Sequence, residues 1–200
     1  MSAPRISDHF KNRHPSAIRL SQIEFDKRTD QVKDINTAIG NVSLPTHPAM
    51  QERMFDLKAA GSPFAGGVVK YTPTVGLRET REAFLNVIGS SGLQTDNLNV
   101  QITDGGSQAM ELVVLGCCGP AGSDERPLLL IDPAYTNYLA MARRVGRQTV
   151  SVKRILGEDG RFSLPDLSEI EEVIQAARPG AMVVIPYDNP TGHFTDQQEM

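Results

Sequence analysis

The sequence predicts an α/β fold in which a mainly parallel sheet is covered by helices on both faces. Three observations predict it. From residue 98 onward, segments with strand patterning alternate with segments of helical period. Two of the strands, PLLLI (127–131) and AMVVIP (181–186), are apolar throughout, as strands in the middle of a buried parallel sheet are. A third, TVSVKRI (149–155), alternates in character and suits a place beside them.

Upstream the patterning is weaker. Residues 16–32 have a faint helical period, and INTAIGNVSLPTHP (35–48) is punctuated by Gly and Pro, so it should run extended and turn. AMQERMFDLKAAG (49–61) places Met50, Met54 and Leu57 at helical spacing, with Gly61 set to end the helix. Residues 62–75 read as a loop. The helix expected over 76–92 would carry Leu77, Ala83, Phe84, Val87 and Ile88 on one side.

The remaining elements follow in order. LNVQIT (98–103) reads as a strand and 106–118 as a helix. After the 127–131 strand comes a helix over 135–146, then the 149–155 strand, a helix over 164–177 and the 181–186 strand. The final TDQQEM has the look of a helix just begun, with Thr195 or Asp196 as its N-cap, and predicts that 1–200 is part of a longer polypeptide. There is no internal repeat and no low-complexity tract.

Composition argues against some functions. The chain is 40% apolar and 22% charged with a net charge of −4, and no Lys/Arg run reaches the density of a nucleic-acid footprint. The N-terminus is polar and lacks the apolar core of a secretory signal, and no apolar run approaches the roughly 20 residues of a membrane span. Cys117 and Cys118 are neighbours and make no disulfide framework; they read as small apolar residues on a helix in a reducing cytoplasm. No Cys/His spacing suggests a metal. The histidines at 9, 14, 47 and 193 read as surface or loop residues.

Ligands of parallel sheets collect beyond the carboxyl ends of the strands. Three such ends carry unusual residues. Ile102-Thr103-Asp104-Gly105-Gly106-Ser107-Gln108 runs from a strand into a helix through two glycines, which lets backbone amides approach an anion. A tight turn with no ligand is the plain alternative. Asp132-Pro133-Ala134-Tyr135 would project an aromatic ring able to stack on a flat heterocycle, although a tyrosine at a helix start is more often core packing. Asp188-Asn189-Pro190-Thr191-Gly192 puts a carboxamide donor at a strand end, in dipeptides that also make ordinary turns. Phosphate, flat ring and phenolate together describe pyridoxal phosphate.

In this order and at these separations the three motifs resemble the class I/II aminotransferases of the aspartate-aminotransferase fold, the pyridoxal-phosphate fold type I. The resemblance runs from about residue 35 to the end, with Asn189-Pro190-Thr191-Gly192 its most specific element. Lys70-Tyr71-Thr72-Pro73, Gly76 and Arg81-Glu82-Ala83 are similar to the family's Tyr…Gly…Arg-Glu-Ala segment, and Ile39-Gly40 with Leu44-Pro45 to its N-terminal glycine segment. The implied organisation is an N-terminal arm and the start of a small domain over 1–48, then the first part of a large cofactor domain over 49–200.

The resemblance implies roles. Gly106, Ser107 and Gln108 would hold the cofactor phosphate, and Tyr135 would stack on the pyridine ring. Asn189 would donate to the ring's 3-oxygen and favour its ionised form. Tyr71 would reach the phosphate of a neighbouring subunit, which implies a homodimer with shared sites. Gly40 would offer its N–H to the substrate carboxylate, with Asn189 beside it. The implied reaction moves an amino group between an amino acid and a 2-oxo acid. The same contacts would serve a C–S or β-lyase, a decarboxylase or a non-catalytic effector-sensing module.

Two departures touch no group assigned to chemistry: Pro186 lies three residues before Asn189 instead of two, and Thr136 follows the stacking tyrosine where proline is usual. The family's cofactor-bearing lysine lies downstream of the Asn-Pro-Thr-Gly motif. None of Lys11, Lys27, Lys33, Lys58, Lys70 and Lys153 stands in a matching context, so the lysine is expected beyond residue 200.

Overall fold

A computed structural model describes residues 4–40, 42–119 and 126–200; Asn41, inside the 35–48 stretch, and residues 1–3 of the polar N-terminus lie outside the described residues. The chain forms two compact units, 1–70 and 71–200.

Among its described residues the first unit holds three helices, α1 (Asp8–Lys11), α2 (Ala17–Asp26) and α3 (Pro48–Phe55). Each starts where a side chain takes up a free amide. Ser7 accepts from Phe10 N–H, Ser16 from Arg19 N–H, and the His47 ring nitrogen from Ala49 N–H at 3.2 Å. None of the three buries a residue. α3 ends at Phe55, six residues short of Gly61, because Asp56 turns out of the helix (φ −104°, ψ 68°); Gly61 takes positive φ in the turns that follow.

The second unit is built on β1 (Leu128–Asp132), the middle strand of a three-stranded parallel sheet. β2 (Thr149–Lys153) pairs along its whole length, from Leu128 opposite Thr149 to Asp132 opposite Lys153. β5 (Ala181–Met182) pairs on the other edge, and Val183 N–H extends the contact to Leu129 O at 3.0 Å. The continuous apolar run of β1 is explained by cover on both faces. On one, α5 (Gly105–Cys118) and α6 (Thr136–Arg144) pack Val114, Cys118 and Ala142 against Leu128 and Leu130. On the other, α7 (Leu167–Ala177) packs Ile170 against Leu129, Ile131 and Val152. Each of the buried Leu, Ile and Val side chains contributes about 1.5–3 kcal/mol relative to exposure.

The structure corrects the sequence reading in several places. Residues 98–103 form no strand. Ile102 N–H donates to Val75 O (3.1 Å) and the Gln101 side chain to Thr74 O (2.8 Å), but no described strand runs beside the segment to make a ladder. The expected 181–186 strand pairs over its first two residues. A short hairpin, β3 (Ile155–Leu156) with β4 (Phe162–Ser163), turns at Gly160, where φ is +77°. α4 (Arg78–Gly89) forms as expected, yet Phe84 and Val87 stay exposed and it buries nothing. Cys118 is buried while Cys117 is exposed, and both thiols are free.

Gly76 is required on two counts. Its φ is +94°, and a Cβ there would overlap the Ile102 side chain, so the 73–76 turn can lie on residues 101–102 only with glycine.

Candidate functional site

Helices that follow parallel strands run back along them, so their N-termini lie at the carboxyl edge of the sheet. α5 and α6 share one face; α6 follows β1, and α5, which follows no described strand, ends beside Pro127 and Gly180 at the strand entrances, so its start points away from them. β1 leads directly through Asp132-Pro133-Ala134 to Tyr135, the N-cap of α6. β5 leads to the 188–192 turn. The peptides Asp132–Pro133 and Asn189–Pro190 are cis.

Tyr138 packs beside Tyr135. Its ring meets Tyr135 edge-on, with centroids 5.9 Å apart at 81°. Burial pushes the Tyr138 hydroxyl pKa up, and neighbouring Tyr135 and Asp188 add in the same direction. Tyr135 is 38% exposed, and its hydroxyl accepts from Asn137 Nδ2 at 2.9 Å, which fixes the ring from its far end.

At the start of α5 the turn is locked without using its outward amides. Gln108 Oε1 accepts from Asp104 N–H at 2.7 Å, Thr103 Oγ1 donates to Gly105 O at 3.0 Å, and Gly105 has φ +77°. Asp104 occupies the N-cap position but makes no capping hydrogen bond. The first-turn N–H groups have no intrahelical acceptor in any α-helix, and here no side chain replaces one. A Cβ on Gly106 would meet nothing within 4 Å. Open space in front of uncapped amides at a helix N-terminus suits an anion of phosphate size.

The third segment is organised by Asp188, buried at 6% exposure. Its Oδ2 accepts from Thr191 N–H at 3.3 Å and from the Thr191 hydroxyl, while its carbonyl accepts from Gly192 N–H at 2.9 Å. Asp188 N–H donates to His193 O, and Tyr187 bridges Phe194 in antiparallel fashion. Asn189 is exposed at the apex.

Comparison with known proteins bears on this arrangement. No family model matches the chain. The aspartate aminotransferase of Sulfurisphaera tokodaii is 29% identical over 174 residues, 87% of this chain and 41% of that protein. The 2-aminoadipate transaminase of Thermus thermophilus is 34% identical over 129 residues, 64% of this chain and 28% of that protein. Among solved structures, Thermus thermophilus aspartate aminotransferase with maleate superposes with a TM-score of 0.74 at 22% identity, over 98% of this chain and 48% of its own. Alanine aminotransferase from Pyrococcus furiosus gives 0.70 at 23% identity, over 97% of this chain and 47% of its own.

The chain has the class I aminotransferase fold. It spans about 40% of the length of the first curated relatives it matches and corresponds to the N-terminal portion of that fold.

The other residues singled out in the sequence are exposed. Tyr71 begins the second unit with its side chain fully exposed. Gly40 lies in the first unit, exposed, with open space where a Cβ would be. Lys153 is exposed at the rim of an open pocket of about 430 Å³ that it lines with Asp132, Pro133, Ala134 and Arg154.

Sequence reasoning missed the residues that brace the 188–192 turn. Arg154 is one. Its Nη2 lies 3.0 Å from Asp188 Oδ1, its Nη1 donates to Ile131 O at 2.7 Å and its N–H to Asp132 O at 2.7 Å. His193 is the other. It is largely buried, with Nδ1 3.0 Å from Phe162 O in β4 and Nε2 3.3 Å from Glu199 Oε2. The Asp159-Gly160 dipeptide between apolar pairs was a readable hairpin signal for β4. Nothing local marked Arg154. The expected helix start at 195–196 is a single turn, in which Asp196 Oδ1 accepts from Gln198 and Glu199 N–H and Glu199 answers to Asp196 N–H.

Proposed function

We propose that this chain forms part of a pyridoxal-phosphate-dependent aminotransferase, which moves an amino group between an amino acid and a 2-oxo acid. The observation that carries the reading is the sheet edge. There an uncapped, glycine-opened helix start, a ring held by Asn137 and a carboxamide at a braced turn leave from neighbouring elements. The names of its relatives, aspartate aminotransferase and 2-aminoadipate transaminase, agree with that reaction.

The residues divide the work. Gly106 and Ser107 amides, with the Ser107 hydroxyl and the free NH₂ of Gln108, hold the phosphate. The Tyr135 face takes the pyridine ring, and Asn189 donates to its 3-oxygen. The bound cofactor supplies an electron sink for the substrate's α-carbon, while the protein orients the reactants and tunes the charge. Gly40 and Asn189 serve the substrate carboxylate. In this reading 49–200 is the first part of the cofactor domain, 1–48 is the arm and start of the small domain, and the lysine that carries the cofactor is supplied outside 1–200.

A homodimer is part of the proposal. Full exposure of Tyr71 leaves it free to reach a partner's phosphate, and Leu112 and Val113 on α5 are apolar side chains such a partner would cover. A cytoplasmic location is supported by two free thiols. No helix among the described residues is long and apolar enough to cross a membrane.

The test is direct. Full-length protein titrated with pyridoxal 5′-phosphate should develop the absorbance of bound cofactor, and should pass an amino group from an amino acid to a 2-oxo acid. No uptake, or elimination products in place of transfer, would remove the reading. Asn189→Ala should lower kcat about 10²-fold and move the pH titration of the bound cofactor's absorbance upward; an unmoved titration disproves the role of Asn189. Tyr135→Ala should weaken cofactor retention by about tenfold, since ring burial and stacking are lost. Unchanged retention would show that the ring lies elsewhere.

A further inference from the structure

We propose that Arg154 is the positioning residue for Asn189, fixing its distance from the strand end that carries Tyr135; the inference rests on the cofactor reading above. The need for such a device is visible in the sheet. Pairing between β1 and β5 stops at Met182, with one further bond from Val183, so no ladder holds the chain at 189. Among the described residues no protein group bonds the Asn189 carboxamide, and Asn189 is exposed. Its place is set by the residues on either side of it.

Those residues are Asp188 and Thr191, and they are joined to each other through Asp188 Oδ2. The other carboxylate oxygen of Asp188 faces Arg154 Nη2 at 3.0 Å. The same guanidinium donates through Nη1 to Ile131 O, and the Arg154 amide donates to Asp132 O. One residue thus spans from the end of β1, three residues before Tyr135, to the residue immediately before Asn189. The Arg154 and Asp188 side chains are 1% and 3% exposed, so water does not compete for these bonds.

Stability alone does not explain an arginine here. Burying a guanidinium and a carboxylate costs desolvation that their attraction roughly offsets, and an apolar pair of similar volume would serve a core as well or better. What the apolar pair lacks is a rigid, planar fork with donors at fixed angles to two acceptors. A hydrogen bond that must reach one oxygen of a ring seated on Tyr135 needs its donor held to about 0.5 Å. The fork supplies that constraint between two loops the sheet itself does not join. Arg154 touches neither cofactor nor substrate in this scheme and acts through Asp188.

The test uses full-length protein and the neutral double variant Arg154→Met/Asp188→Asn, which avoids leaving one buried charge unpaired. Bound pyridoxal 5′-phosphate is titrated with pH and followed by absorbance. The double variant should move the titration upward, as Asn189→Ala does, and adding Asn189→Ala to it should move it little further. A wild-type titration in the double variant overturns the proposal. So does a full-sized additional shift from Asn189→Ala on that background, because Asn189 would then be in place without the fork. Amide exchange of the cofactor-free proteins gives an independent readout. Residues 186–195 should exchange at least tenfold faster in the double variant while α7 is unchanged; equal protection of the turn overturns the clamp. A wild-type protein that takes up no pyridoxal phosphate defeats the cofactor reading instead, and exchange still decides whether Arg154 holds the turn.

Discussion

Gly180→Ala is expected to destabilise the protein by about 3 kcal/mol, the upper end of the usual cost of forcing an atom into a packed interior. Gly180 sits at the entrance to β5, where its N–H donates to Pro127 O at 3.0 Å. A Cβ there would overlap the Cys117 carbonyl oxygen, and would lie 2.8 Å from Cys117 C and 3.0 Å from Cys118 Cα. All three atoms are backbone in the last turn of α5, so no side chain can swing aside. α5 cannot withdraw either, because Cys118 and Val114 are fully buried against Leu128 and Leu130. Gly116, in the same helix, provides the control: its Cβ would meet nothing, and Gly116→Ala should be neutral or stabilising by about 0.5–1 kcal/mol. Denaturant unfolding of the full-length protein distinguishes the two. A Gly180→Ala midpoint equal to wild type would refute the close approach of α5 to β5.

The second large effect is expected from Asp188→Ala, at about 3–5 kcal/mol. The loss comes less from a missing attraction than from what is left behind. Arg154, with a side chain 1% exposed, would keep its full charge with only the Ile131 carbonyl to answer it. Thr191 would lose the acceptor for both its amide and its hydroxyl. Asp188→Asn keeps the one oxygen that Thr191 uses and the side-chain shape, so it should cost less than Asp188→Ala, although its NH₂ would face Arg154 Nη2 and leave the guanidinium unpaired. Unfolding free energies of the two variants decide the matter. A loss below about 1 kcal/mol for Asp188→Ala would mean that solvent reaches the pair, contrary to its burial.

The two contrasts also mark what the sequence could and could not show. The sheet was legible because burial on both faces leaves β1 no room for a polar residue, and Leu128 to Ile131 state this in four consecutive letters. The turns after β1 and β5 were legible because Pro after an apolar run marks a strand end, whereas Asp104-Gly105-Gly106 opens a helix with no described strand before it. Arg154 was not legible. An arginine after an alternating strand reads as solvated, and only the fold brings Asp188, 34 positions later, within 3.0 Å of it. His193 was hidden for the same reason, its partners being Phe162 and Glu199. The strand expected over 98–103 shows the reverse case. Alternation makes a segment ready for pairing, but pairing depends on a neighbour that local pattern does not record. Met50, Met54, Phe84 and Val87 teach the same lesson for helices, since an apolar stripe states a need for cover and not what supplies it.

β1 is bonded to β2 along its whole length and to β5 over its first residues, is packed on both sides, and delivers its next residues straight to the carboxyl edge of the sheet. A molecule seated there would rest on the end of a strand packed on both faces. Discrimination between guests of similar outline would then follow from an unyielding seat, and adaptation to different guests would fall to the surrounding loops.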